Sequence, residues 1–169
     1  MTVLGLTALL AGCGDGAKRE YAVPNALCGK VVDAKALATV LPAGKKITSQ
    51  ETRDKFPNVT QCTLRVDGKD VIAARYDWWD KETSPSVVSR EFWNVKNGEL
   101  TKDDRYFISE TGGVGRVSGC RTTVLPNRTL YAGMELRGSA HKNSQAMKRL
   151  IVSYTEALEQ SDDCKHGQA

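Results

Sequence analysis

The sequence predicts an α+β domain, an antiparallel sheet with helices packed on one face. Three observations predict it. Residues 60–66 and 70–79 alternate apolar and polar on either side of Asp67-Gly68, the pattern of a β-hairpin. Residues 143–160 place Met147, Leu150, Ile151, Tyr154 and Leu158 at helical spacing on one face. Between them lie further short strand candidates, an order of elements that builds an α+β fold.

In chain order, Asp33 caps a short helix with Leu37, Val40 and Leu41 on one side, stopped by Pro42. Residues 47–53 read as a strand. In the hairpin, Cys62, Leu64 and Val66 alternate with Thr63 and Arg65, and Ile72, Ala74, Tyr76 and Trp78 alternate with Ala73, Arg75 and Asp77. One face is buried and the other wet. A second helix spans 84–97, with Ser84 as cap, Pro85 at its first position, a Val88/Phe92/Val95 stripe, and Asn97-Gly98 as its stop. Strands follow near 104–110, 114–118, 119–125 and 129–138, then the closing helix. Setting Cys62 on Cys120 without gaps places Val66 on Val124, Ile72 on Leu130 and Ala74 on Ala132. Two pseudo-repeated α-β-β-β halves plus a C-terminal helix would produce this match, and so would two half-buried hairpins.

The 169 residues are 40% hydrophobic, enough for one domain with a real core. Its expected limits are residues 28–164, with a tail at 165–169. Ahead of it stands Leu9-Leu10-Ala11-Gly12-Cys13, closing an apolar run that begins at Val3. This is the pattern of a bacterial lipobox: a small residue before the cysteine admits the signal peptidase, and the Cys13 thiol accepts a diacylglycerol. Residues 1–12 are then a lipoprotein signal peptide and residues 13–27 a lipidated cysteine with a flexible, polar tether. Each buried acyl CH₂ contributes about 0.8 kcal/mol, so two or three chains hold such a protein at a membrane. The apolar run is shorter than the ~20 residues that a spanning helix needs. Nothing before Cys13 is charged, although a secretory signal carries basic residues there. The sequence therefore predicts a start upstream of Met1.

Setting Cys13 aside leaves four cysteines, an even set that in an exported chain reads as two disulfides. Three connectivities are open. Cys28–Cys62 with Cys120–Cys164 is favoured, because each bridge then ties a helical segment to a strand in its own half. No C-x-x-C or H-x₃₋₅-H spacing occurs, so neither a metal nor another cofactor is expected.

Enzyme signatures are fragmentary. Ser139-Ala140-His141-Lys142 fits S-x-x-K without the partner motifs of penicillin-recognising enzymes. Gly113-Val114-Gly115 with Gly119 lacks the nucleotide-loop spacing and reads as a flexible turn between strands. An envelope hydrolase would have to use His141 or a carboxylate pair such as Asp77/Asp80, Asp103/Asp104 or Asp162/Asp163. Two features point instead to binding. In Tyr76-Asp77-Trp78-Trp79-Asp80, alternation sends Trp79 away from Tyr76 and Trp78, so Trp79 either stacks on a ligand or caps the core edge under helix 84–97. Residues 100–150 hold nine Lys/Arg against four Asp/Glu, with Arg121, Arg128 and Arg137 on or beside adjacent strands. Such a patch meets anionic head groups or wall polymers, or it is an ordinary solvated face. Nucleic acid is not an expected partner, since no aromatic platform accompanies these basic residues.

The Leu9–Cys13 motif, the short tether, Leu27-Cys28-Gly29 opening a helix, a cysteine-started hairpin and a last helix ending in Cys164 together resemble small secreted lipoproteins of actinobacteria, streptomycete-like in type. The resemblance implies a lipid-anchored protein on the outer face of the cell membrane and carries over no catalytic residues. The expected function is a non-enzymatic binding module for an envelope protein, glycan or small ligand. The alternatives are the hydrolase and a structural subunit of an envelope complex.

Overall fold

Two capped helices and two tight turns set the frame. The computed structural model describes residues 18–54, 59–120 and 126–166. Cys13 and Arg121 lie outside the described residues, as do residues 121–125 of the strand expected over 119–125. Asp33 accepts the Ala36 N–H at 2.9 Å and opens α1 (Ala34–Val40), which ends ahead of Pro42. Asn143 accepts the Ala146 N–H at 2.8 Å and opens α3 (Ser144–Glu159), whose buried face includes Met147, Leu150, Ile151, Tyr154 and Leu158. Asp67 and Gly68 both take positive φ, the geometry of the tight turn expected between β4 (Val59–Val66) and β5 (Lys69–Asp80). Cys28 and Gly29 do the same between β1 (Ala26–Leu27) and β2 (Lys30–Val31). The Cys-Gly pair expected to open a helix is therefore the turn of a small hairpin that precedes it.

The main sheet has seven antiparallel strands. Beside β4 and β5 it holds β3 (Ile47–Asp54), β6 (Glu99–Leu100), β7 (Tyr106–Ile108), β8 (Gly112–Arg116) and β9 (Arg128–Leu136). The order is β3-β4-β5-β9-β8-β7-β6, two meanders joined through their last strands, with β5 and β9 paired from Ile72↔Leu136 to Asp80↔Arg128. The fold class is thus the α+β antiparallel architecture expected. The gap-free repeat is not reproduced around the cysteines: Cys62 lies inside β4 opposite Ala74, whereas Cys120 lies beyond β8, outside any strand. Gly113 and Gly115 belong to β8 rather than to a loose turn.

Alternation divides the sheet into two faces. Leu64, Ile72, Ala74, Leu130, Ala132 and Met134 join α1 and α3 in the main core. The opposite face carries a smaller cluster, Val88, Phe92, Val95, Val114 and Tyr131. The segment expected as helix 84–97 crosses to this second face and is helical only over α2 (Pro85–Val88) and a 3₁₀ turn at Ser89–Glu91. Tertiary contacts outweigh its helical spacing. Phe92 turns extended and lies on Gly133, where an added Cβ would meet the ring at 1.9 Å. Beyond it, Asn94 donates its amide N–H to Glu135 at 3.0 Å and its side-chain N–H to the Leu136 carbonyl at 2.9 Å.

Both favoured disulfides are present, Cys28–Cys62 and Cys120–Cys164. They mark an oxidising, extracytoplasmic environment. The second anchors α4 (Asp162–His166), and Asp163 adds an ion pair to Lys30 at 2.8 Å and another to Arg53 at 3.6 Å. Part of the expected tether is docked on the domain. Arg19 pairs with Gly44 and donates to the Ala38 and Leu41 carbonyls, while Tyr21 and Val23 pack against the main core. Among the described residues no helix is long and apolar enough to cross a membrane.

Candidate functional site

The 84–97 segment covers one half of the second sheet face and leaves the other half open. Along the open half, β4 presents Gln61, Thr63 and Arg65, β5 presents Ala73 and Arg75, and β9 presents Glu135, followed by Arg137. Residues 91–93 stand over this surface as a wall. Gln61, Ala73, Arg75, Glu91, Phe92, Trp93, Glu135 and Arg137 enclose a cleft of about 180 Å³. That is below the ~300–1,000 Å³ of a typical small-molecule site, so it suits one ring or a short polar group.

The charged groups of the cleft fall into two sets. Glu135 is 3% exposed and fully engaged, accepting from the Asn94 N–H and from Arg137 Nε and Nη2 at 2.9 and 2.7 Å. Arg137 extends further to Asp70 at 3.5 Å, and Asp70 also receives Arg65 Nε at 2.7 Å. These groups build the cleft and hold its wall. Arg75 is different. Its guanidinium stacks on the Phe92 ring, 4.4 Å from the centroid, and its ion pair to Asp77 is stretched to 3.9 Å. Its Nε is buried without a hydrogen-bond partner among the described residues. A buried, unmade donor costs about 1–3 kcal/mol. Arg19 Nε and the Tyr76 hydroxyl are also unmade among the described residues, but of the three only Arg75 lines the cleft. Glu91, exposed at the rim, makes no ion pair among the described residues. Next to it Trp93 is 84% exposed, the most exposed large hydrophobic side chain described. Among the described residues, a guanidinium whose Nε is unpaired, a carboxylate without an ion pair, the Gln61 amide and an exposed indole thus line one cleft.

Of the residues predicted for binding, Arg137 lies in this cleft and the others described do not. Trp79 packs against the smaller core, its Nε1–H donated to Asp77 Oδ1 at 2.7 Å. Arg128 pairs with Asp80 at 3.3 Å at the far end of β9, about 30 Å from Arg137 at ~3.3 Å per residue. Arg128 and Arg137 therefore do not share one patch. Sequence reasoning missed Trp93 and Arg75, although both left signals. A Val88/Phe92/Val95 stripe puts Trp93 off the buried face, and alternation puts Arg75 on the wet face of its strand.

The groups available to a hydrolase are dispersed. Asp77 and Asp80 point to opposite faces of β5. Burial pushes the Asp77 carboxyl up, Glu91 adds to the rise, and Arg75 with the Trp79 N–H partly offsets it. Asp103 is held by Thr101 and the Arg105 N–H below the ordinary carboxylate range. Asp163 is bound by Lys30. His141, exposed, lines a shallow groove with Arg19, Leu41, Pro42, Ala43 and Ser139, and no carboxylate joins it there. Among the described residues no cluster of three or more metal-ligating side chains occurs. Compared with family models, curated proteins and solved structures, the chain matches none.

Proposed function

We propose that this protein is a non-enzymatic binding module of the cell envelope, anchored to the outer face of the membrane through Cys13, whose ligand enters the cleft beneath Trp93. The observation that carries this reading is the pairing of an 84% exposed indole with a half-buried guanidinium whose Nε is unpaired, both lining one cleft. Exposed aromatic and arginine side chains beside a concave surface are the residue types that dominate binding energy. The disulfides fit an extracytoplasmic site of action. The carboxylate pairs expected from sequence and His141 lie outside the cleft lining, and of the two carboxylates lining it Glu135 is taken up by Asn94 and Arg137. This favours binding over hydrolysis, which needs an acid and a base within reach of one bond.

Two measurements test the proposal together. A native mass spectrum of the chain extracted from its own membranes is expected to show a diacylglycerol on Cys13. A soluble-fragment screen by two-dimensional NMR is expected to move the Arg75 Nε–H and Trp93 Nε1–H resonances as a set. An unlipidated species would remove the anchor. Fragments that bind only elsewhere, at the His141 groove for instance, would remove the cleft.

A further inference from the structure

Resting on the proposal that the cleft is the ligand site, we infer that its ligand is a sugar acid: a pyranose ring bearing one carboxylate, the carboxylate against Arg75 and the ring face against Trp93. Charge makes the first step of the argument. Arg75, Arg137, Glu91 and Glu135 line the cleft and sum to zero. Glu135 and Arg137 neutralise each other through direct hydrogen bonds, leaving Arg75 with a loose 3.9 Å pair to Asp77 outside the lining and Glu91 with no ion pair among the described residues. A phosphate dianion would call for several free cations, which the cleft lacks. A monoanionic carboxylate matches the planar fork of one guanidinium. Stacking on Phe92 fixes the plane of that fork beforehand, so less freedom is lost when the ligand arrives.

The remaining groups select the body of the ligand. Glu91 accepts hydrogen bonds, and the Gln61 amide, which gives one N–H to Thr63 Oγ1 at 3.2 Å, keeps its second N–H to donate and its oxygen to accept. A polyol supplies donors and acceptors for both, whereas an apolar acid leaves them unmatched. The exposed Trp93 offers a flat apolar face for the C–H side of a pyranose. A peptide C-terminus shares the carboxylate but needs an apolar pocket for its last side chain. Here the apolar lining is Ala73, Trp93 and a Phe92 ring already under Arg75. The cleft volume of about 180 Å³ admits a single ring, so a longer acidic glycan would be gripped at one residue and trail into solvent.

The test is a titration of the disulfide-intact, ¹⁵N-labelled chain with four probes: methyl β-glucuronide, methyl β-glucoside, acetate, and a short peptide with a free C-terminal carboxylate. The glucuronide is expected to move the Arg75 and Trp93 side-chain resonances saturably. Glucoside, acetate and peptide are each expected to bind at least about tenfold more weakly, as are the variants Arg75→Lys and Trp93→Ala toward glucuronide. Arg128→Lys is expected to bind as the parent does. Equal affinity for glucoside would make the site a neutral-glycan site, and equal affinity for acetate a plain anion site. Tighter binding of the peptide would make it a chain-end reader. Each of these outcomes overturns the inference. If Arg75→Lys loses its dispersed spectrum, the probe series and Trp93→Ala still decide. Fragment hits in the cleft without glucuronide binding sink the sugar acid and leave the binding module standing. Silence from every fragment and probe sinks both.

Discussion

Gly133 is the residue on which the wall of the cleft depends. Phe92 reaches the sheet only because β9 has no side chain at that point, and Trp93 and Glu91 take their positions from the segment that Phe92 pins. A methyl group placed there would meet the Phe92 ring at 1.9 Å, well inside van der Waals contact. Overpacking of this kind costs about 1–3 kcal/mol. Gly133→Ala is expected to lower stability to urea by that amount. It should also shift the Trp93 side-chain resonance, because the ring must leave its seat before the sheet does. A variant of unchanged stability with an unmoved Trp93 resonance would show that Phe92 does not organise the wall. Arg75 depends on the same seat, since its guanidinium rests on the ring that Gly133 admits.

At the level of elements, α4 is the clearest case of a piece held by electrostatics as well as a covalent link. Its five residues are too few to be stable as an isolated helix. Cys164 fastens it to Cys120, and Asp163, 13% exposed at its side chain, pairs with Lys30 and Arg53. Burial pushes the Asp163 carboxyl up, but Lys30, with the nearby Tyr76 hydroxyl and Arg53, outweighs it and holds the group below its ordinary value. The sign follows directly. Its contribution is fully present above the unfolded carboxylate pKa of ~4 and is lost as pH falls through the lower folded value. Asp163→Asn is expected to cost about 1–3 kcal/mol at pH 7. The gap between parent and variant should narrow as urea melts are repeated down to pH 3, and a gap independent of pH would exclude the ion pair as its cause. Legibility in the sequence divides along the same line between local and non-local causes. Helix 143–160 and the hairpin at Asp67-Gly68 were readable because period and turn chemistry are local. The 84–97 helix was misread because Gly133 and Glu135, some 40 positions on, pull Phe92 and Asn94 out of it. The cleft was not readable at all: Gln61, Arg75 and Glu135 meet only through the register of three strands.

For the whole molecule, the architecture predicts cooperative unfolding and dependence on both disulfides. The two meanders share the β5·β9 ladder, and one core runs beneath both, from Leu64 and Ile72 to Leu130, Met134 and Leu150. Neither half can open without exposing the other's apolar face. Far-UV dichroism and tryptophan emission should therefore report one transition in urea, since Trp78 and Trp79 sit on the shared ladder. The bridges close segments with sequence separations of 34 and 44 residues, for which chain entropy gives about 4 kcal/mol each. Their sum is comparable with the ~5–15 kcal/mol total stability of an ordinary domain. Reduction is thus expected to shift the urea midpoint sharply downward and to leave the chain at the edge of folding at 25 °C. The transition should stay single, because the bridges tie peripheral pieces (the β1–β2 hairpin to β4, and α4 to the segment after β8) while the sheet itself remains shared. Melts with and without a thiol-free reductant check this. A reduced chain within about 1 kcal/mol of the oxidised one would mean that the sheet and its core suffice alone. Separate transitions for the two probes would mean that the meanders are independent units. With the expected outcome, the fold is tied to an oxidising compartment, and a cleft that depends on this fold can bind only where the bridges form.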